Sequence, residues 1–120
     1  MPPITTHCLD TSSGKPASNL RIVLEKCSQE PRVPGEEYVW EFVKEVRTNS
    51  DGRAPEISEG MTIVPNVYRC LFFTQDYFSA TGTATFYPRV EVMFRIMDVD
   101  SHYHIPLLLS PFGYSTYRGS

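Results

Sequence analysis

The sequence holds little that would commit it to a partner of one charge. Its 11 lysines and arginines against 14 aspartates and glutamates give a net charge of −3. Arg21, Lys26, Arg32, Lys44, Arg47 and Arg53 are scattered and form no basic run. A phosphate-binding domain normally shows a basic surplus, so this balance argues against nucleic acid. No apolar stretch approaches the roughly 20 residues that span a bilayer, so no helical membrane segment is expected. The opening MPPITTHCLD has neither a basic n-region nor an apolar h-region, and secretion is not expected. Cysteine is scarce: Cys8, Cys27 and Cys70 are odd in number and widely spaced, which fits neither a disulfide framework nor a zinc knuckle. They read as reduced, buried thiols of an intracellular protein. Internal repeats and low-complexity segments are absent as well.

What is present is ordinary globular material. Apolar residues make up 41% and charged residues 21% of the 120 positions, enough for one domain spanning 1–120 and no second. Period-2 patterning dominates. Alternation marks strands over 4–10, 20–27 and 38–48, the last with Tyr38, Trp40, Phe42 and Val46 on one face. Asn49-Ser50-Asp51-Gly52 reads as a tight turn that delivers Arg53 to a short strand over 53–57. Further strands are expected over 66–74, 88–98 and 103–110, with a last one in the closing YSTYRGS. TSSGKPA reads as a turn, and Asp76 is placed to cap one short helix within 75–84. About eight strands at hairpin-like spacing plus one short helix predict an all-β fold, a β-sandwich of two antiparallel sheets.

Phase then places the chemistry. In the strand over 103–110, Tyr103, Ile105, Leu107 and Leu109 form a continuous apolar set suited to the core, which puts His104 on the outer face beside Pro106 and Leu108. Pro106 cannot donate a ladder bond, which suggests an edge strand or a bulge. In the first strand His7 shares a face with Thr5 and Leu9. Cys8 faces the core and is a poor nucleophile. An outer face carrying histidine, leucine, proline and tyrosine points to another subunit or a ligand. His102 shares the face of His104 at the strand's start, and its role is left open.

THCLDTSSGKPA, RTNSDGR and HYHIPLLLSPFGYSTYRGS together resemble the transthyretin-like 5-hydroxyisourate hydrolases of purine degradation. The likeness runs through the whole chain in order, and YRGS separates those hydrolases from the hormone carrier transthyretin. The resemblance implies a transthyretin-like sandwich that pairs edge to edge into dimers and face to face into a homotetramer, with a channel whose mouths hold the active sites. It implies His7, Arg53 and His104 as catalytic residues, with His7, Arg53, Ser115, Tyr117, Arg118, Gly119 and Ser120 around the substrate. The implied reaction opens the six-membered ring of 5-hydroxyisourate by hydrolysing a lactam C–N bond, yielding 2-oxo-4-hydroxy-4-carboxy-5-ureidoimidazoline. That needs a base for water, which His7 or His104 supplies, and a cation for the oxyanion, which Arg53 supplies.

No cofactor and no metal are implied. A zinc site at His7, His102 and His104 is the less favoured alternative, because three or four ligands would have to converge there. The rival from another class is a carrier of an apolar hormone in the same channel, and an immunoglobulin-type interaction domain is a third reading. His7, Arg53, His104 and the YRGS ending speak against the carrier, and the interaction domain would leave the tail without a purpose. Residence is expected in the cytosol, with the peroxisome as the alternative, although no Ser-Lys-Leu ending is present.

Overall fold

The computed structural model describes residues 2–120. Eight strands and one helix follow in order: β1 (Ile4–Asp10), β2 (Lys15–Pro16), β3 (Arg21–Gln29), β4 (Val39–Arg47), β5 (Asn66–Phe72), α1 (Thr74–Ser79), β6 (Val90–Ile96), β7 (Tyr103–Ser110) and β8 (Gly113–Thr116). They form two four-stranded sheets, β2-β1-β7-β8 and β4-β3-β5-β6. The sandwich is therefore as expected, with one exception to its antiparallel character. β1 and β7 run parallel, joining the two ends of the chain at the centre of one sheet.

Alternation builds the core. Ile4 and Cys8 of β1, Ile22 and Leu24 of β3, Cys70 and Phe72 of β5 and Leu107 and Leu109 of β7 all turn inward and are buried. All four residues assigned to the core face of β7 are buried, so His104 lies on the outer face, as its phase requires. Val90 and Ile96 of β6 are buried, and Val92 and Phe94 pack against the same cluster. The three cysteines are buried and free, and burial pushes the Cys8 thiol up to about 12, which removes it as a nucleophile.

Five local expectations fail for identifiable reasons. The segment 53–57 is no strand: Arg53 makes a single antiparallel bridge to His7, after which Pro55 cannot donate and the chain turns, with Ile57 N–H bonding Ala54 O. Ser58 then caps the start of β1, accepting from Ile4 N at 3.1 Å and donating to Ile4 O at 2.7 Å. The eighth strand is supplied instead by Lys15–Pro16, which had read as part of a turn. In β4 the extra residue Val43 forms a bulge opposite Leu24 and Glu25, so the face reverses and Phe42 is 64% exposed while Val46 stays inside. The helix begins one turn earlier than placed, with Phe73 at its N-cap and Asp76 inside its first turn rather than capping it. Pro106 lies in an internal strand, not an edge or a bulge. The β8 ladder starts at Leu107, so the proline costs no bond on that side.

The turn before Arg53 is set by two constraints on Gly52. Its φ is +77°, and a Cβ there would collide with the carbonyl oxygen of Cys8. That close approach exists because Cys8 N–H donates to Gly52 O at 2.8 Å, tying the turn to the middle of β1. Gly52→Ala is expected to cost at least the roughly 1–3 kcal/mol of a non-glycine residue held at positive φ. Urea unfolding of wild type and variant checks this, and an unchanged midpoint would contradict the account.

Candidate active site

The parallel register of β1 and β7 assembles a site on the outer face of one sheet. Thr5 lies opposite His104, and His7 lies opposite Pro106. On the far side of β1, Arg53 bridges to His7; on the far side of β7, Gly119 bridges to His104. Four chain segments thus lie side by side, carrying Arg53, His7 with Thr5, His104, and Gly119. The residues are far apart in sequence, and only the sheet brings them together.

Hydrogen bonds hold the backbone that carries Arg53 and the rings of His7 and His104. Asn49 Oδ1 accepts from the backbone N–H of Asp51 at 2.9 Å and of Arg53 at 3.1 Å, closing the turn that presents the arginine. His7 Nε2 lies 2.9 Å from the carbonyl oxygen of Asp51. A carbonyl can only accept, so that nitrogen carries the proton and Nδ1 is left as the acceptor. His104 Nδ1 lies 2.8 Å from Thr5 Oγ1, which leaves its Nε2 without a partner among the described residues. None of the ion pairs among the described residues includes Arg53, whereas Arg69, Arg89 and Arg95 on the other sheet all face carboxylates. The guanidinium at the site is uncompensated, which suits it to an anionic ligand.

Burial lowers the His104 pKa below its ordinary value of 6.5, and the nearby Arg53, His102 and His7 push the same way. The imidazole is therefore neutral at neutral pH, the state a general base requires. Gly119 explains one letter of the YRGS segment. Its N–H donates to His104 O at 2.9 Å, and a Cβ there would strike the His104 ring and lie 3.2 Å from Pro106. Only glycine lets the segment lie flat against the imidazole.

Not every expected residue joins this group. Ser115 pairs with Leu108 and so shares the outer face, further along the strand. The Arg118 guanidinium stacks 4.6 Å from the centre of the Tyr103 ring, and Tyr103 belongs to the core face of β7. Tyr117 and Arg118 line a cleft of about 350 Å³ between β6 and β8, at the open edge of the sandwich. Within one protomer these two are thus turned away from His104, and Ser120 is exposed beyond Gly119. Thr5 and Asn49 were missed by sequence reasoning. Phase had put Thr5 on the face of His7, but its contact with His104 depends on a pairing 99 residues apart. Among the described residues no three His, Cys, Asp or Glu side chains are grouped to hold a metal ion.

The cluster lies on an open sheet face. A cavity of about 530 Å³ lies elsewhere, lined by residues that include Asp10, Arg21, Arg47 and Tyr77. We take the chemistry from the histidine face regardless, because a base and an uncompensated cation decide reactivity and volume alone does not.

A sandwich with this strand order and an imidazole–guanidinium group on one sheet face defines a transthyretin-type fold carrying polar, protonatable chemistry. The chain belongs to the HIUase/Transthyretin family, whose model matches residues 4–119. It is 43% identical over 122 residues to 5-hydroxyisourate hydrolase 2 of Rhizobium meliloti, covering 98% of this chain and 95% of that protein. The 5-hydroxyisourate hydrolase of Mus musculus is 42% identical with the same coverage of 98% and 95%. Among solved structures, Klebsiella pneumoniae 5-hydroxyisourate hydrolase superposes with a TM-score of 0.77 at 28% identity, over 98% of this chain and 92% of that one. Transthyretin from Sparus aurata superposes with a TM-score of 0.87 at 25% identity, over 99% and 97%. The backbone therefore does not separate hydrolase from carrier. The side chains must.

The lowered pKa of His104 has a signed consequence for stability. Between the ordinary and the lowered pKa the unfolded chain binds more protons than the folded one. The His104 contribution is thus complete above 6.5 and is lost as pH falls through the lowered value. Arg53→Gln should raise the His104 pKa towards 6.5 by removing one of its causes. Titration of the imidazole resonances by NMR checks both, and a His104 midpoint at or above 6.5 in the wild type would contradict the assignment.

Proposed function

We propose that this chain hydrolyses 5-hydroxyisourate, with His104 as the base and Arg53 as the electrostatic partner. The observation that carries the reading is the His104 ring: held neutral, tied by Nδ1 to Thr5, without a partner at Nε2 among the described residues, and within the electrostatic reach of Arg53. The names of the relatives at about 40% identity support the substrate.

In this mechanism Nε2 of His104 takes a proton from water, and the resulting hydroxide adds to the lactam carbonyl carbon. Arg53 stabilises the oxyanion, and its planar guanidinium fits the ring oxygens of an anionic purine derivative. The C–N bond then breaks, and the proton held on His104 goes to the leaving nitrogen. Ring opening leaves a carboxylate and a ureido group. His7, fixed by Asp51 O, orients the substrate from the other side through Nδ1. Gly119 keeps the floor beside His104 low enough for a planar ring to stack. Nothing in these steps calls for a cofactor.

A homotetramer accompanies the proposal. The site is an open face in one protomer, and hydrolysis needs a pocket that excludes bulk water. A second sheet face laid over the first supplies the missing wall, and Tyr117, Arg118 and Ser120 then belong to the rim of the joint pocket. The free edges of β6 and β8 are available for pairing with a partner. Buried free thiols fit a reducing compartment, and we place the protein in the cytosol.

The test is the ultraviolet absorbance of freshly generated 5-hydroxyisourate with and without the protein. Acceleration over spontaneous decay is expected. Alanine at His104 should lower turnover by about 10²–10⁴-fold, the usual contribution of a positioned base. Arg53→Ala should cost about 10²–10³-fold, comparable to loss of an oxyanion donor. Both variants should elute as tetramers with wild-type circular dichroism. Thyroid-hormone binding without acceleration would instead establish the carrier reading.

A further inference from the structure

Beside His104 lies a hydrogen-bonded chain that the mechanism above does not use. Thr5 Oγ1 is 2.8 Å from His102 Nε2 and 2.8 Å from His104 Nδ1. The two rings lie 6.2 Å apart between centroids and are inclined by only 22°. A hydroxyl carries one proton and two lone pairs, so Thr5 can donate to one ring while accepting from the other. Two arrangements of the neutral set make such a continuous chain. Either His104 Nδ1–H donates to Thr5 and Thr5 donates to His102 Nε2, or both bonds run the opposite way. The first leaves a lone pair on His104 Nε2; the second places a proton there. The outward-facing nitrogen of His104 is thus coupled, through one hydroxyl, to a third histidine.

We propose that Thr5 and His102 are positioning residues that form a proton relay behind His104. The inference rests on the reading of His104 as the base. In the resting state His104 Nδ1–H donates to Thr5, whose own proton is directed at His102 Nε2. When His104 Nε2 takes a proton from water, the Nδ1 proton passes to Thr5 Oγ1 while the Thr5 proton passes to His102 Nε2. His104 is then neutral again with its proton on Nε2, and the positive charge resides on His102. After Nε2 delivers its proton to the leaving nitrogen, both transfers reverse and the resting set is restored. No proton is gained or lost over the cycle beyond that moved from water to the leaving group.

The relay answers an electrostatic difficulty. Burial, Arg53, His7 and His102 all oppose a charge on His104. An imidazolium stranded there between the two proton transfers would be a high-energy intermediate. Passing the charge to His102, just before β7, relieves the half-buried ring of His104. His102 therefore acts through Thr5 and need not touch the substrate.

Three substitutions separate the relay from a merely structural contact. Thr5→Val keeps the β-branched shape without the hydroxyl, Thr5→Ser keeps the hydroxyl, and His102→Gln keeps a hydrogen-bonding group that cannot take up the proton. Thr5→Val and His102→Gln should each lower kcat about ten- to a hundredfold, with KM changed by no more than about twofold. Thr5→Ser should stay near wild type. Wild-type or nearly unchanged kcat in Thr5→Val or in His102→Gln would overturn the relay while leaving the base in place. Retained turnover in His104→Ala would instead sink the underlying reading, so the two failures are distinguishable. Imidazole ¹⁵N shifts of the wild-type protein give a second test that needs no variant. A resting proton on His104 Nδ1 is expected, and one on Nε2 would overturn the proposal.

Discussion

The pairing of β1 with β7 is the constraint on which the rest depends. It joins the beginning of the chain to its end in parallel register, with Thr5 opposite His104 and His7 opposite Pro106. A slip of one residue would send every side chain of β1 to the opposite face. His7 and Thr5 would enter the core, and Ile4, Thr6 and Cys8 would face out. Burial of Ile4, Cys8, Leu107 and Leu109 on the inner face therefore holds the register, and the same burial holds the imidazoles on the outer face. Core packing and the geometry of the histidine cluster are two sides of the same two strands.

The sandwich divides its polar chemistry between its sheets. The outer face of β4-β3-β5-β6 is laced with ion pairs, such as Arg69 with Glu25 and Glu91, and Arg69 also stacks on Trp40. The exposed pairs among them contribute little to stability each, but Arg21, Arg69, Arg89 and Arg95 each have a carboxylate partner there. Among the described residues, neither Arg53 nor the imidazoles on the other sheet have such a partner. An unpaired cation next to a histidine held neutral by burial stabilises the fold less than a paired one would. Its value lies in what it can bind.

Solved relatives sharpen the point that fold and function are separate inferences. This backbone lies nearer to a transthyretin, at a TM-score of 0.87, than to a bacterial hydrolase, at 0.77. Identity runs the other way, at 43% and 42% with hydrolases of a bacterium and a mouse. The scaffold is common to both, so function has to be argued from the side chains it carries.

Much of this was legible in the linear chain, because period 2 is a local signal. Alternation alone placed His104 outward and Cys8 inward, and the Asp51-Gly52 turn was readable from glycine's tolerance of positive φ. Local signals failed where a partner strand decides the outcome. The bulge at Val43 turned Phe42 outward, Lys15–Pro16 became a strand only by pairing with β1, and Arg53 was left with one bridge. The outward phase of Thr5 was written in its own strand, while its role as the link between two histidines was not. Hydrogen bonds between residues nearly a hundred positions apart have no local signature, because closing that distance is the work of the tertiary structure.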